Sequence, residues 1–544
     1  MSEQSRHLRS GIQDTTAYDV SLGPGAMSRR RLLGIAAGVP LGALLATRAE
    51  SATFAQQATP ALTGQRGGSV TMAVEGDWVG MDPHTNAAFA SLFAWEKTYQ
   101  SLVTYDEQLQ IVPALATSWD IPDPLTYIFH LREGVTFHSG DAFTADDVVF
   151  WHERLANPDL VVPYRSWFDA VERVEAVDPV TARFTLKFPY SPLLANLASM
   201  RGSAMVPRQW AGQVDLNTEA SGTGPYKLTN IVPQDSYRWE FNPNYWETGL
   251  PYIETADNKL LLEPAARLTA IQTGAAHYTT LPGDLTGQLE GADVNLLMGD
   301  KAWYWHLQIN CSREPFTDVR VRQAIGLAID HQEIIDKVLG GFGSLTGPVP
   351  TGHSDWYIPV EQLPYKVDLE RARALLAEAN LADGFKTTYK ANSGIREDVA
   401  TAQIIKERLR EINIDVEIIQ LDTTRWVSET QPPTSDYDIR LNGNSFYPDA
   451  DGYLYNHYHS TASFNQVRYS NPAYDELVTN ARQLVDHEER RQVYFQAQQM
   501  LLDEVPVIPL WNGKNIEALS PRLQGYRQSY TGRRLFFDET WLQS

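Results

Sequence analysis

Apolar and polar positions alternate at Val70, Met72 and Val74, behind a turn permitted by Gly67 and Gly68, and this period of two predicts a first strand. Tyr127, Phe129 and Leu131 repeat the pattern. Gly134 then allows a turn, and Thr144 with Asp147 makes a capping-box start to a helix whose Val148, Trp151 and Leu155 share one face. The stretch from Asp106 to Leu155 therefore reads as strand-rich and closed by a helix.

Elsewhere the period lengthens to that of a helix. Pro264 suits a first helical position and Gly274 an end, with Leu268 and Ile271 between them. Asp318 opens a segment carrying Val321, Ile325, Ala328 and Ile329, expected to run to near Gly340. Asp368 caps a run with Ala372, Leu375, Leu376 and Ala379, and Asp486 with Glu489 boxes the start of another with Val493, Ala497, Met500 and Leu501. Between Asp398 and Gln420 a face of Ala402, Ile405, Leu409 and Ile412 breaks at Asn413, and the apolar strand VEIIQL follows at once. A helix feeding a strand through so short a link marks an α/β layer. No fixed-period repeat occurs, which argues against a solenoid or propeller.

The N-terminal segment belongs to another physical class. Ser28, Arg29, Arg30, Arg31, Leu32 and Leu33 form a twin-arginine pattern. The weakly apolar run from Leu32 to Ala46, interrupted by glycines and Pro40, falls short of the about 20 apolar residues that span a bilayer. Residues 1–58 are expected to be a twin-arginine signal peptide and leader, starting at Met1 or Met27, with 59–66 a linker. No cysteine follows the run to carry a lipid, so a free periplasmic protein is expected, not a lipid-anchored one.

Composition narrows the partners. A chain of 544 residues exceeds a single core at about 150 residues per domain. The 67 acidic residues against 45 basic ones, a net charge of -22, argue against nucleic acid or anionic membranes, which need clustered Lys and Arg. Cys311 is the sole cysteine, so no disulfide forms within the chain, which is compatible with folding in the cytoplasm before export. Fourteen Trp and 25 Tyr supply flat amphipathic rings that serve both cores and ligand clefts.

Six blocks fall in one order along the chain: LVTYDEQLQIVPALATSWD, YIFHLREGVTFHSGDAFTADDVVF, SGTGPYKLT, FNPNYWETGLPYIE, EPFTDVRVRQAIGLAIDHQEII and YKVDLERARALLAEAN. With them the sequence resembles the extracytoplasmic solute-binding proteins of ABC transporters, in the oligopeptide, dipeptide and nickel-binding family, from about Gly67 to the C-terminus. The resemblance implies an α/β fold of the two-lobed periplasmic binding protein kind (type II, cluster C-like), with an extra strand-rich subdomain on lobe one. Lobe one would comprise 67–110, 201–302 and 510–544, the subdomain 111–200, and lobe two 303–509. WYWHLQIN and VIPLWNGKN would be the two crossings between lobes. It further implies a monomer that closes on a small organic solute, peptide-like or sugar-derived, and delivers it to ABC permease subunits without a cofactor or any bond being made or broken.

The stretch RLNGNSFYPDADGYLYNHYHS, Arg440 to Ser460, is the richest in candidate chemistry. In peptide-binding members an acid in this loop anchors the ligand's α-ammonium, and the resemblance puts Phe446 at that acid's place. Asp449 substitutes if the loop is shifted by three residues; otherwise a ligand ammonium must find another acid or is not the ligand's key group. As a metal loop the stretch offers Asp449-x-Asp451-Gly452 and two histidines, His457 and His459, but lacks a third ligand; a nickel or metallophore binder is the alternative this leaves open. Loop acids two apart do not make a glycosidase pair, and no G-x-S-x-G or phosphate-cradling loop occurs, which leaves a secreted hydrolase a distant reading.

A pocket wall suits the composition best: Phe446, Tyr447 and Tyr453 with Asn442 and Asn444 provide rings, donors and acceptors for a polar, ring-bearing or elongated ligand. Trp78 follows the first strand, where members of the family approach their ligand. Trp303 and Trp305 flank the first crossing and are expected to face opposite sides, with at most one in the cleft. Trp356 and Trp426 are further candidates, and Arg396 at a helix start is expected either to meet a ligand carboxylate or to face solvent.

Overall fold

The strand Asn295–Ile309 belongs to two places at once. In the computed structural model its first part pairs only with Val507–Leu519, from Asn295 opposite Leu519 to Asp300 opposite Lys514. Its last part lies between that strand and Ile439–Asn444, from Tyr304 opposite Asn444 to Ile309 opposite Ile439. The register slips between Asp300 and Tyr304, so the chain changes partners across a local irregularity. The structure describes residues 64–543 except 77–79, 87–88, 211–214, 217–218, 354, 433, 445 and 532–536. The expected signal segment lies outside the described residues.

These two long antiparallel strands join two α/β layers into one 11-stranded sheet. On one side come Tyr278–Thr280, Ser69–Val74, Thr255–Leu260, Ser236–Phe241 and Tyr226–Val232; on the other, Ile439–Asn444, Phe385–Asn392 and Ile414–Leu421, and the short Gly343–Ser344 pairs with Val507–Leu519 as the eleventh. The innermost strands of each layer run parallel, as α/β packing requires. Each layer has its own core. Val70, Met72, Tyr226, Trp239 and Ala256 are sealed in the first, and Leu307, Ile309, Tyr389, Ile414 and Ile439 in the second, beneath Val321, Ile325, Ala402, Ile405 and Leu409 of two helices. Alternate positions of Ile439–Asn444 accordingly split: Ile439 and Leu441 enter that core while Arg440, Asn442 and Asn444 take the other face.

A separate four-stranded antiparallel sheet, ordered Ala116–Asp123, Thr126–Leu131, Thr181–Leu186 and Val171–Asp178, is covered by the helix Ala145–Ala156. Trp151 and Phe184 are fully buried between them. Thr144 and Asp147 close the capping box read from the sequence. Gly222, in SGTGPYKLT, is required by close approach, since a Cβ there would overlap the carbonyl of Thr98.

The structure departs from the pattern in two places. The segment expected to run from Asp318 to near Gly340 is two helices, Val319–Ala328 and His331–Val338. The extended Ile329 ends the first, and the Asp330 carboxylate caps the second by accepting from the Glu333 N–H at 3.0 Å. The stretch after Pro448, read as a loop, is the helix Ala450–Tyr458, capped by Asp449. His457 and His459, the two histidines of the possible metal loop, are therefore near the end and at the C-cap of a helix, and do not point together.

Candidate functional site

The strands that end at the junction show where it opens. Ser69–Val74 finishes level with Thr255–Leu260 and beside Tyr278–Thr280, all running the same way. In the other half Phe385–Asn392 finishes level with Ile414–Leu421, and Ile439–Asn444 runs parallel to both. Ligands of open α/β sheets lie in the crevice beyond such carboxyl ends. Here the two crevices face each other: Arg396, which opens the helix after Asn392, pairs at 3.2 Å with Asp284, just beyond Thr280. The junction is thus bracketed by strand ends of both layers, with the two crossing strands as its floor.

Beside this opening the residues after Asn444 are tightly packed. Phe446 lies parallel to the imidazole of His353, centroids 5.4 Å apart, and edge-on to Tyr105 at 6.2 Å. Its carbonyl accepts from Arg201 Nη1 at 3.1 Å. Tyr447 tilts against Trp167 at 5.9 Å, donates its N–H to Tyr453 Oη at 3.0 Å and accepts His353 Nε2 at its carbonyl, 2.7 Å away. One apolar cluster runs without a break from Phe129 and Trp151 through Trp167 and Tyr190 to Phe446, Tyr447, Tyr453 and Tyr494. These rings therefore fasten the four-stranded sheet's region to the opposite half.

The two acids of YPDADG are both spoken for. Asp449 receives Arg490 through both carboxylate oxygens, at 2.7 and 2.6 Å, with each side chain almost wholly buried. Burial alone would raise the Asp449 pKa, but the guanidinium outweighs it and holds the carboxyl below its ordinary value. Asp451 meets Arg482 at 3.2 Å and accepts from Tyr494 Oη at 3.0 Å; burial, with Asp449 adjacent, still pushes its carboxyl upward. Both carboxylates are thus engaged within the protein, Asp449, the expected substitute for the acid absent at Phe446, among them. A bidentate partner on the helix His487–Glu504 already neutralises it.

Bacterial extracellular solute-binding proteins, family 5, are described by a model that matches residues 110–465. The di/tripeptide-binding protein 2 of Pseudomonas aeruginosa is 31% identical over 467 residues, 78% of this chain and 86% of that protein. The chain belongs to this family. A glutathione-binding protein of Pectobacterium atrosepticum, GsiB, is 28% identical over 470 residues, 84% and 90% of the two chains. The periplasmic binding protein DppA of Helicobacter pylori, solved with the peptide STSA, superposes with a TM-score of 0.76 at 27% identity, covering 88% of this chain and 99% of that one. The two-lobed fold and the part of a solute-binding receptor of an ABC importer follow from this membership.

Against this family-5 frame the expected site residues separate. Phe446, Tyr447 and Tyr453 come together, but as packing between the halves. Trp356 packs there too, under the Arg490 guanidinium at 5.0 Å and edge-on to Tyr494 at 5.8 Å. Asn444 donates to Tyr304 Oη at 3.2 Å and Asn442 to Gln466 Oε1 at 3.0 Å. Trp426 belongs to the second lobe's interior, its Nε1 donating to the Lys390 carbonyl at 3.1 Å.

Trp303 and Trp305, expected on opposite faces, share one, since an added Cβ at Gly443 would meet both. Residues two apart on a strand point the same way. Arg396 is exposed and held by Asp284 and Glu397, so its carboxylate partners here are the protein's own. Trp78 lies outside the described residues. Arg201, His353, Arg482 and Arg490 were not singled out from the sequence. For the arginines the available signal was general: a buried acid such as Asp449 demands a buried cation.

Among the described residues no group of three or more His, Cys, Asp or Glu is placed to hold a metal ion. No helix among them is long and apolar enough to cross a membrane.

Proposed function

We propose that this protein captures a peptide-like solute in the periplasm, between a first lobe of about 67–110, 201–302 and 510–544 with its 111–200 subdomain and a second of about 303–509. It works as a monomer and follows a twin-arginine export signal. The observation that supports this most is the junction itself, where parallel strand ends of both layers face one another over two crossing strands and are bridged by Arg396 and Asp284. The relatives named for di/tripeptides and glutathione, and the neighbour solved with STSA, support a peptide-like solute.

The mechanism is a population shift. A solute touching both lobes stabilises the closed form by its differential affinity for that form, and the permease reads the closed form. Rotation about the irregularity between Asp300 and Tyr304 is the hinge this requires. Isothermal titration with a panel of di- and tripeptides and glutathione, followed by mass spectrometry of the recovered solute, tests the reading. Saturable binding with the solute returned intact supports it; no binding across the panel, or cleavage of the solute, overturns it.

A further inference from the structure

The loop acids are occupied, yet another carboxylate stands at the floor of the junction. Glu517 lies on the crossing strand Val507–Leu519, opposite Thr280 on one side and Leu297 on the other. Thr280 is the last residue of its strand, in the row where the first lobe's parallel strands end. Glu517 therefore occupies the level at which a solute enters from the crevice.

Its bonding is incomplete. Only 1% of the residue is exposed. Oε1 accepts from Tyr278 Oη at 2.9 Å and from Asn515 Nδ2 at 3.1 Å, while the buried Oε2 has no hydrogen-bond partner. No Lys, Arg or His among the described residues lies within ion-pair distance of it. A buried carboxylate held by two neutral donors is costly unless a cation completes it, and an orphaned buried oxygen points to a group the chain itself does not supply. Nearer the second lobe on the same strand, buried Asn512 also leaves its Oδ1 without a partner.

We propose that Glu517 is the carboxylate that receives a primary ammonium of the solute, taking from the first lobe the role that Phe446, Asp449 and Asp451 cannot fill. This rests on the peptide-receptor reading above and adds to it the residue and the ligand group.

The test titrates trialanine and N-acetyl-trialanine into the wild-type protein, Glu517→Gln and Glu517→Asp, with thermal melts confirming that each variant is folded. The wild type is expected to prefer the free amine. Glu517→Gln is expected to lose roughly 10- to 100-fold of that affinity while its affinity for the acetylated peptide stays put, because only the charge-assisted bond is removed. Glu517→Asp is expected to keep part of the preference. Wild-type binding of the free amine with Glu517→Gln binding it equally well overturns the assignment to Glu517 and leaves the receptor reading standing. Absence of wild-type binding to either peptide overturns both.

Discussion

Replacing Asp449 by Asn should destabilise the protein and leave solute affinity largely alone. The carboxylate and Arg490 form a bidentate pair at 2.7 and 2.6 Å, the guanidinium lying over the rings of Trp356 and Tyr494. Asn presents one acceptor and no charge, so a guanidinium is left uncompensated where water cannot reach it. Breaking such a pair from one side costs about 3–5 kcal/mol. For a cooperative unit of 150–250 residues, at about 2–4 °C per kcal/mol, this predicts a fall in Tm of roughly 6–20 °C.

The pH sign follows from the same pair. The folded carboxyl titrates below its unfolded value, so its contribution is complete above that unfolded value and is lost as pH falls through the lower folded one. The gap between wild type and Asp449→Asn should therefore hold at neutral and mildly acid pH and close only in strong acid. Differential scanning fluorimetry supplies the melts, and titration of a bound tripeptide well below the variant's Tm supplies the affinity. A variant that melts with the wild type but loses affinity more than tenfold would show that the carboxylate serves the ligand and not the fold.

Other perturbations follow from burial and exposure. His84, His138, His331 and His457 are pulled down to about 4 by burial, so they stabilise the fold while neutral. Their contribution, up to about 3 kcal/mol each, is complete above pH about 6.5 and lost toward pH 4, so Tm should fall steadily across that window; a flat profile from pH 7 to 4.5 would contradict the assignment. Phe446→Ala removes a ring packed between His353 and Tyr105 and should cost about 3–5 kcal/mol by chemical denaturation, against no change if the ring is a solvent-exposed pocket wall. Arg396→Ala breaks an exposed pair and should shift stability by no more than about 1 kcal/mol, a larger loss meaning that the bridge to Asp284 fastens the lobes.

The periodic parts of the fold were legible because local chemistry decides them. Thr144 and Asp147 cap a helix wherever the chain takes them, and Asn413, at a φ of 63°, turns the chain between Ile412 and Ile414. Asp330 was overlooked as a cap because Ile329 keeps the apolar spacing running past it, so a helix break was read as continuity. The site was less legible for a different reason. Phe446, Tyr447 and Tyr453 carry the composition of a pocket wall, and nothing local shows that Tyr105, Trp167 and His353, far away in sequence, fill the space in front of them. Asp449 is separated by two helices, Ala450–Tyr458 and Pro472–Ala481, from the Arg490 that claims it, and an ion pair of that span has no sequence period. Glu517 shows no distinguishing pattern at all: its interest arises only from the orphaned Oε2 at the level of Thr280.

Small-angle X-ray scattering of the mature protein, alone and saturated with the tightest-binding peptide of the di- and tripeptide panel, tests the receptor account most directly. It predicts a smaller radius of gyration in the bound form, with the same peptide recovered unaltered from the sample. A profile that peptide leaves unchanged at saturation would contradict closure around a solute as the way this protein works.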